Sequence, residues 1–174
     1  KVKDRKELLP YGPAVFETIN KAYSNLYGYS ELSPAQIEHY VKLYIPMLRP
    51  EFVTLIVREK DEKVVGVAIS LPSLSKALKL ANGKLFPFGF IHLLRALKGR
   101  PKVIDLYLMG VLPEYMNRGV NALLFNDLIP IYQKFGVEYA ESNPELETNM
   151  SVQMQWNYFE RKHHKTRRAF IKKL

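Results

Sequence analysis

Cysteine is absent from the sequence, and this absence excludes several kinds of protein. A disulfide scaffold, a cysteine-ligated zinc site, an iron–sulfur centre and a thiol nucleophile all need cysteine. A chain without cysteine fits a reducing compartment, and we expect a cytoplasmic location. The sequence also lacks an apolar run long enough to span a bilayer and the apolar core of a signal peptide.

Acidic residues are scarce relative to basic ones, with 17 Asp+Glu against 26 Lys+Arg and a net charge of +9. Eight Lys or Arg residues and no acid lie in residues 63–102, and seven more with no acid lie in residues 161–174. Glutamates cluster instead in residues 138–147. The excess of basic residues suggests a polyanionic partner, such as nucleic acid, a membrane surface or a phosphorylated cofactor. The ordinary alternative is a basic face that is simply exposed to solvent.

The length of 174 residues, 47% of them hydrophobic, fits a single domain over residues 1–174. Hydrophobic periodicity predicts helices over residues 10–27, 34–46, 119–135 and 149–161, and strands over residues 52–58, 64–71, 103–112, 137–142 and 166–172. Residues 73–100 form an irregular insert with two short helices and an aromatic bend at 86–90, which we expect to cap a core or line a substrate tunnel. The order of elements indicates an α/β (α+β) fold.

The most informative segment runs from the apolar strand at 103–112 through a polar loop into the helix that begins near Gly119. The first turn of a helix leaves N–H groups without intrachain partners and carries partial positive charge. A glycine there lets a ligand approach the backbone, and Arg118 adds a full charge. These features suit a phosphate or pyrophosphate group, although one glycine at a helix start is also typical of a simple tight turn.

The segment resembles the coenzyme A signature of the GNAT N-acetyltransferase superfamily. Residues at matching places are Val111, Pro113, Tyr115, Arg118, Gly119, Val120, Leu123 and Leu124. Met116 stands where Gln or Arg is usual, and Asn121 where a second Gly or Ala is usual. The resemblance implies a mixed, centrally splayed β-sheet flanked by helices. The superfamily's first strand is not evident, so we expect the chain to be the C-terminal part of a longer bacterial protein.

The resemblance implies acyl transfer from acetyl-CoA or another acyl-CoA to an unknown amine, with nucleic acid not expected as a partner. The pyrophosphate is expected to bind backbone N–H groups at Arg118, Gly119, Val120, Asn121 and Ala122. The N–H near Val111 is expected to polarise the thioester carbonyl. Because the chain has no cysteine, the transfer is direct.

A carboxylate is a suitable base for an amine that must lose a proton, and Glu141 follows a predicted strand directly. Glu145 and Glu147 alternate with Glu141 on an extended segment and are expected to attract a cationic amine. The ordinary alternative for Glu141 is an ion pair with Lys or Arg. No metal site is expected, because adjacent residues such as His163 and His164 do not normally converge on one site.

The superfamily also often has a motif that begins with Asn and ends with a Tyr that protonates the leaving thiolate. Asn149 matches the first position, but Trp156 stands at the last, and an indole is not a useful acid near neutral pH. This departure favours an alternative in which a degenerate domain of the same fold binds CoA or a partner without turnover. A third hypothesis, a nucleic-acid-binding domain, is disfavoured by the glutamates near the expected acceptor site.

Overall fold

A computed structural model of the chain describes residues 4–172, and its centre is a four-stranded mixed sheet. The strands are β1 (Val53–Arg58), β2 (Lys63–Pro72), β3 (Val103–Val111) and β4 (Tyr139–Ser142), and they lie in that order. The first three are antiparallel neighbours, whereas β4 runs parallel to β3. The predicted hairpin, central strand and α/β class are therefore confirmed.

Helices cover both faces of this sheet, and two more form the insert. They are α1 (Arg5–Leu8), α2 (Gly12–Tyr23), α3 (Pro34–Tyr44), α4 (Ser75–Leu80), α5 (Gly89–Lys98), α6 (Val120–Phe135) and α7 (Met150–Gln155). Helices α2 and α3 pack on one face of the sheet and α6 on the other, where each buries its own apolar cluster. No helix in residues 4–172 is both long and apolar enough to cross a bilayer.

Local sequence signals explain several helix boundaries. The Ser33 hydroxyl accepts the N–H of Gln36, and the Gln36 side chain accepts the N–H of Ser33, which forms a capping box ahead of Pro34. Helix α6 ends at Gly136, whose φ of 74° is left-handed. The predicted starts near residues 34 and 119 and the predicted end at 136 are confirmed.

Helix α2 packs directly on the backbone of β3 at Gly110, which has no side chain. A Cβ at Gly110 would lie 3.0 Å from the Ile19 side chain and 3.1 Å from that of Ala22. This close packing holds α2 against the part of β3 that precedes the loop with the GNAT resemblance.

A buried hydrogen-bond chain joins α6 to the sheet, and it allows a stability prediction. The Tyr132 hydroxyl donates to Ser70 Oγ at 2.7 Å, and Ser70 donates to the Phe52 carbonyl at 3.1 Å. Burial raises the pKa of Tyr132 to about 12. We expect Tyr132→Phe to lower the free energy of unfolding by about 1 kcal/mol, because Ser70 loses its buried donor.

Urea unfolding would measure this change, with the exposed Tyr139 changed to Phe as the control. Equal free energies of unfolding for the two variants would show that the buried chain contributes nothing.

The predicted last strand is wrong, and the predicted last helix is present but shorter than expected. The helix at 149–161 is limited to α7 and a 3₁₀ turn at Trp156–Tyr158, and residues 160–172 contain neither helix nor strand. The side chains of Phe170 and Ile171 are 85% and 93% exposed, so strand formation would bury nothing there. The predicted helix at 10–27 also begins two residues later and ends at Tyr23.

The aromatic bend at 86–90 does not cap a core. The side chains of Phe86 and Phe88 are 78% and 70% exposed, because the insert folds outward as α4 and α5 rather than over either apolar cluster. The basic stretch at 161–174 extends beyond the described residues at its last two positions.

Candidate active site

The sheet opens between β3 and β4. Strand β4 pairs with β3 only from Val103 to Leu106, so within residues 4–172 the remainder of β3 has no strand on that edge. Two side chains bind the exposed carbonyls of this edge: Asn143 Nδ2 donates to the Tyr107 carbonyl at 2.6 Å, and the Tyr23 hydroxyl donates to the Met109 carbonyl at 2.8 Å. The backbone of β3 therefore forms one side of the opening, and these two hydrogen bonds hold it in place.

The backbone N–H of Val111 lies on this side of the opening. The next N–H along the chain, that of Leu112, donates to the Val65 carbonyl on the β2 side at 2.9 Å. Because successive backbone groups of a strand point to opposite edges, the Val111 N–H faces the opening. A donor at this place can stabilise negative charge on a carbonyl oxygen that lies between the strands.

The loop after β3 is held in a turn by two residues with positive φ. Asn117 has φ 58° and Gly119 has φ 77°, and side chains such as valine rarely adopt this conformation. The loop is also tied to the β1–β2 hairpin, since Lys63 Nζ lies 3.2 Å from Glu114 and Arg58 Nη1 donates to the Tyr115 hydroxyl at 2.7 Å.

The first turn of helix α6 contains backbone N–H groups that make no hydrogen bond within the helix. Its first backbone bond runs from the Leu123 N–H to the Gly119 carbonyl at 3.2 Å, so the N–H groups of Val120, Asn121 and Ala122 precede the ladder. The first turn contains no acidic residue, and Arg118 is exposed beside it. The arrangement suits a phosphate-containing ligand.

Comparisons with solved structures decide the fold. The crystal structure of a Trypanosoma brucei acetyltransferase matches with a TM-score of 0.54 and 13% sequence identity, over 94% of this chain and 94% of that one. The chain has the GNAT fold. The GNAT-fold enzyme AAC(6')-Iy, solved with a CoA-containing bisubstrate analogue, matches with a TM-score of 0.50 and 13% identity, over 92% of this chain and 93% of that one.

Comparison with curated sequences gives a different relative. A bacterial ceramide synthase from Caulobacter vibrioides is 30% identical over 100 residues, which are 57% of this chain. The chain spans only 26% of the length of that protein. No protein-family model matches the sequence. The GNAT fold is thus shown by structure, while the reaction and its substrates are matters for proposal.

Glu141 lies on β4 within an ion-paired group of this GNAT-fold sheet. Its carboxylate accepts a hydrogen bond of 2.6 Å from Lys165 Nζ, and His164 Nε2 lies 3.6 Å away. The hydrogen bond from Lys165 lowers the pKa of Glu141. The ion pair that the sequence left open as an alternative is therefore present, and a carboxylate stabilised in this way is a weak base.

Asp105, which sequence reasoning missed, is the register partner of Glu141 on β3. Its Oδ1 is buried and has no hydrogen-bond partner among the described residues. Burial raises the pKa of Asp105; interaction with the Ser73 hydroxyl opposes the shift, and the Glu141 carboxylate reinforces it. The sequence did contain a signal that could have identified Asp105, since it is an acidic residue inside the apolar run at 103–112.

The remaining predicted residues do not converge with this pair. Strand β4 ends at Ser142, so the alternation expected from Glu141 to Glu147 stops there. Glu145 instead accepts the indole N–H of Trp156 at 2.8 Å, and Asn149 accepts the Ser151 hydroxyl at 3.1 Å. Both are occupied by contacts with residues in α7 or directly after it.

A groove of about 520 Å³ lies at the opposite edge of the sheet. It is lined by β1, by Tyr11 and by the outer side of α6 at Leu123. Since β1 is the first strand of the sheet and the opening lies between the third and fourth, this groove is separate from the opening, and it reaches α6 at Leu123, after the N–H groups at the helix start.

Proposed function

We propose that the chain is an acyl-CoA-dependent N-acyltransferase domain that moves an acyl group from acyl-CoA to an amine. The observation that carries the proposal is the Val111 N–H at the opening between β3 and β4, directly before a loop and helix start that suit a pyrophosphate. A thioester carbonyl and a diphosphate of one ligand could meet these donors together.

The loop and α6 are proposed to bind the nucleotide end of acyl-CoA. The N–H groups at Gly119, Val120, Asn121 and Ala122 would donate to the pyrophosphate, and Arg118 would add charge. The Val111 N–H would donate to the thioester oxygen as negative charge develops on it. Acetyl-CoA is the simplest donor for these positions.

Asp105 is proposed to accept the proton that the amine loses. Its raised pKa and orphaned oxygen make it a better base than Glu141. Glu141 would attract the ammonium form of the acceptor in place of the ammonium group of Lys165, which it binds in this structure. Glu145 and Asn149, which the sequence suggested, have no part in this assignment.

The reaction balances without a protein-bound intermediate. An acceptor that arrives as an ammonium ion first releases one proton to solvent. The neutral amine nitrogen then forms a bond to the carbonyl carbon, the carbon–sulfur bond breaks and CoA leaves as a thiolate, while the remaining proton on the nitrogen passes to Asp105, directly or through water. Thiolate is a tolerable leaving group, so the tryptophan at 156 does not prevent the reaction.

The acceptor class is proposed to be a long-chain amino alcohol. The support is the 30% identity with a ceramide synthase over 100 residues, since a ceramide is the N-acyl derivative of such an amine. Aminoglycosides serve as comparison substrates, because a structurally similar protein from Acinetobacter haemolyticus is named an aminoglycoside antibiotic 6'-N-acetyltransferase but is only 16% identical to this chain.

A second candidate is a domain that binds acyl-CoA without turnover. It is favoured by Trp156, whose N–H is already bound to Glu145 and which therefore offers no proton to a leaving thiolate.

Release of CoA thiol distinguishes the two candidates. The chain has no cysteine, so a thiol reagent reports CoA without background from the protein. We expect acetyl-CoA or palmitoyl-CoA to raise the melting temperature and CoA to appear when a long-chain amino alcohol is added. Stabilisation without release across long-chain amines and aminoglycosides would support the non-catalytic candidate, and no stabilisation would contradict both.

A further inference from the structure

The insert at 73–100 exposes large apolar side chains that a soluble surface seldom groups together. Those at least 40% exposed include Leu78, Leu80, Leu85, Phe86, Phe88 and Leu94. Helix α4 buries only Ala77, and α5 buries none of its residues. An exposed apolar patch of this kind marks an interaction surface. We name the turn at 85–88 between the two helices the aromatic tip.

The aromatic tip is ordered by the backbone on both sides. The Gly83 N–H donates to the Leu78 carbonyl at 3.0 Å, and the Phe90 N–H donates to the Leu85 carbonyl at 2.9 Å. A Cβ at Gly89 would lie 1.7 Å from the Lys84 carbonyl oxygen, so the two ends of the tip are in tight contact. The apolar side chains are thus presented on a fixed turn.

The charged side chains of the insert all carry one sign. They are Lys76, Lys79, Lys84, Arg95, Lys98 and Arg100, and residues 63–102 contain no Asp or Glu. Within the described chain, the ion pairs of this stretch lie at its ends, at Lys63 with Glu114 and at Lys102 with Glu138. The basic groups near the tip are therefore available to an external anion.

Helix α5 also combines apolar and basic side chains on different sides. Phe90, Leu94 and Leu97 recur at four- and three-residue spacing and share one side, while Arg95 and Lys98 lie together on another. Apolar aromatic and leucine residues with Lys and Arg alongside are the composition of helices that lie in a membrane interface.

We propose that the insert docks on an anionic lipid bilayer, with the aromatic tip among the headgroups and upper acyl chains and the surrounding lysines on lipid phosphates. Charge complementarity selects this occupant, because an acid-free surface favours an anionic partner. Leucines beside the phenylalanines favour acyl chains over nucleic-acid bases, since only the aromatic rings can stack on bases.

The root of the insert lies next to the candidate base. The Ser73 N–H donates to the Val103 carbonyl at 2.9 Å, and the Ser73 hydroxyl interacts with Asp105. A bilayer bound to the insert would then lie near Asp105. A long-chain amine could pass from the lipid to the candidate active site over a short distance. This last step rests on the proposed function, whereas docking does not.

The test is sedimentation of the full chain with vesicles, without acyl-CoA, so that its failure leaves the proposed reaction untouched. We expect binding to vesicles of equal parts phosphatidylglycerol and phosphatidylcholine, and at least about tenfold weaker binding to phosphatidylcholine alone. Phe86→Ser with Phe88→Ser should weaken binding to the anionic vesicles about tenfold or more, because two aromatic side chains no longer enter the interface. Lys79→Glu with Lys84→Glu should do the same.

Matched controls distinguish binding by the insert from non-specific binding of exposed apolar or basic residues to vesicles. Phe170→Ser with Ile171→Ser removes equally exposed apolar side chains from the other basic stretch, and Lys60→Glu with Lys134→Glu reverses two exposed lysines elsewhere. Both should bind like the original chain, and circular dichroism should show all variants folded. Loss of binding in the controls alone, or equal binding by the tip variants, would overturn the proposal. A dimer in light scattering that the tip variants dissociate would replace it with self-association.

Discussion

Replacing Asp105 with asparagine is expected to lower turnover by about a hundredfold or more and to leave acetyl-CoA affinity unchanged. A positioned general base contributes roughly this much to a rate, and an amide cannot accept the proton. Asp105 lies on the β3 part of the sheet that is paired with β4, away from the loop proposed to bind the nucleotide. Rates of CoA release at saturating acceptor, and the shift in melting temperature with acetyl-CoA, measure the two effects separately.

The same change has a pH signature. Burial raises the pKa of Asp105, so the acidic limb of the turnover profile should lie at higher pH than an exposed aspartate would give, and Asp105→Asn should remove that limb. A carboxyl whose pKa is raised on folding stabilises the fold below its unfolded pKa of about 3.9 and loses that contribution as pH rises through the folded value. The melting temperature of Asp105→Asn, relative to that of the original chain, should therefore increase as pH rises.

Glu141→Gln is the matched control for Asp105→Asn, because the two carboxylates are register partners. It should raise KM for the acceptor with a smaller effect on kcat, since the proposed role of Glu141 is attraction of the ammonium group. If Glu141→Gln abolishes turnover and Asp105→Asn does not, the base is Glu141, as the sequence alone suggested.

The strand, loop and helix around Gly119 could be predicted because their signals are local. Pro113 ends the strand, Gly119 takes the left-handed conformation that begins α6, and Gly136 takes the one that ends it. Each of these residues acts on its own backbone, so one sequence is sufficient to interpret it.

Asp105 could not be assigned in the same way, because its environment comes from distant parts of the chain. Ser73, Glu141 and Lys165 affect its pKa, and only the fold brings them to one place. The predicted last strand failed for a related reason. The sequence Ala169, Phe170 and Ile171 has strand propensity, but a strand also needs a surface to bury. Phe170 and Ile171 are 85% and 93% exposed, and the contact of this region with the sheet is the ion pair of Lys165 with Glu141.

Gly119→Val is expected to weaken acetyl-CoA binding by about tenfold or more. A Cβ at this position meets no atom within 4 Å, so the effect comes from the backbone alone. Holding a β-branched residue at φ 77° costs roughly 1–2 kcal/mol, and the loop can relieve that cost by turning Gly119 to negative φ. The N–H groups that precede the α6 ladder would then no longer point together at one anion.

Gly136→Val is the matched control for this prediction. Gly136 has φ 74° and also has no atom within 4 Å of a built Cβ, but it lies at the other end of α6, about 24 Å away along a helix of 16 residues. Both variants should lose similar stability in urea unfolding, whereas only Gly119→Val should lose acetyl-CoA affinity in titration calorimetry. Equal affinities for the two variants would mean that the start of α6 does not bind the pyrophosphate, because the strain is the same and only the place differs.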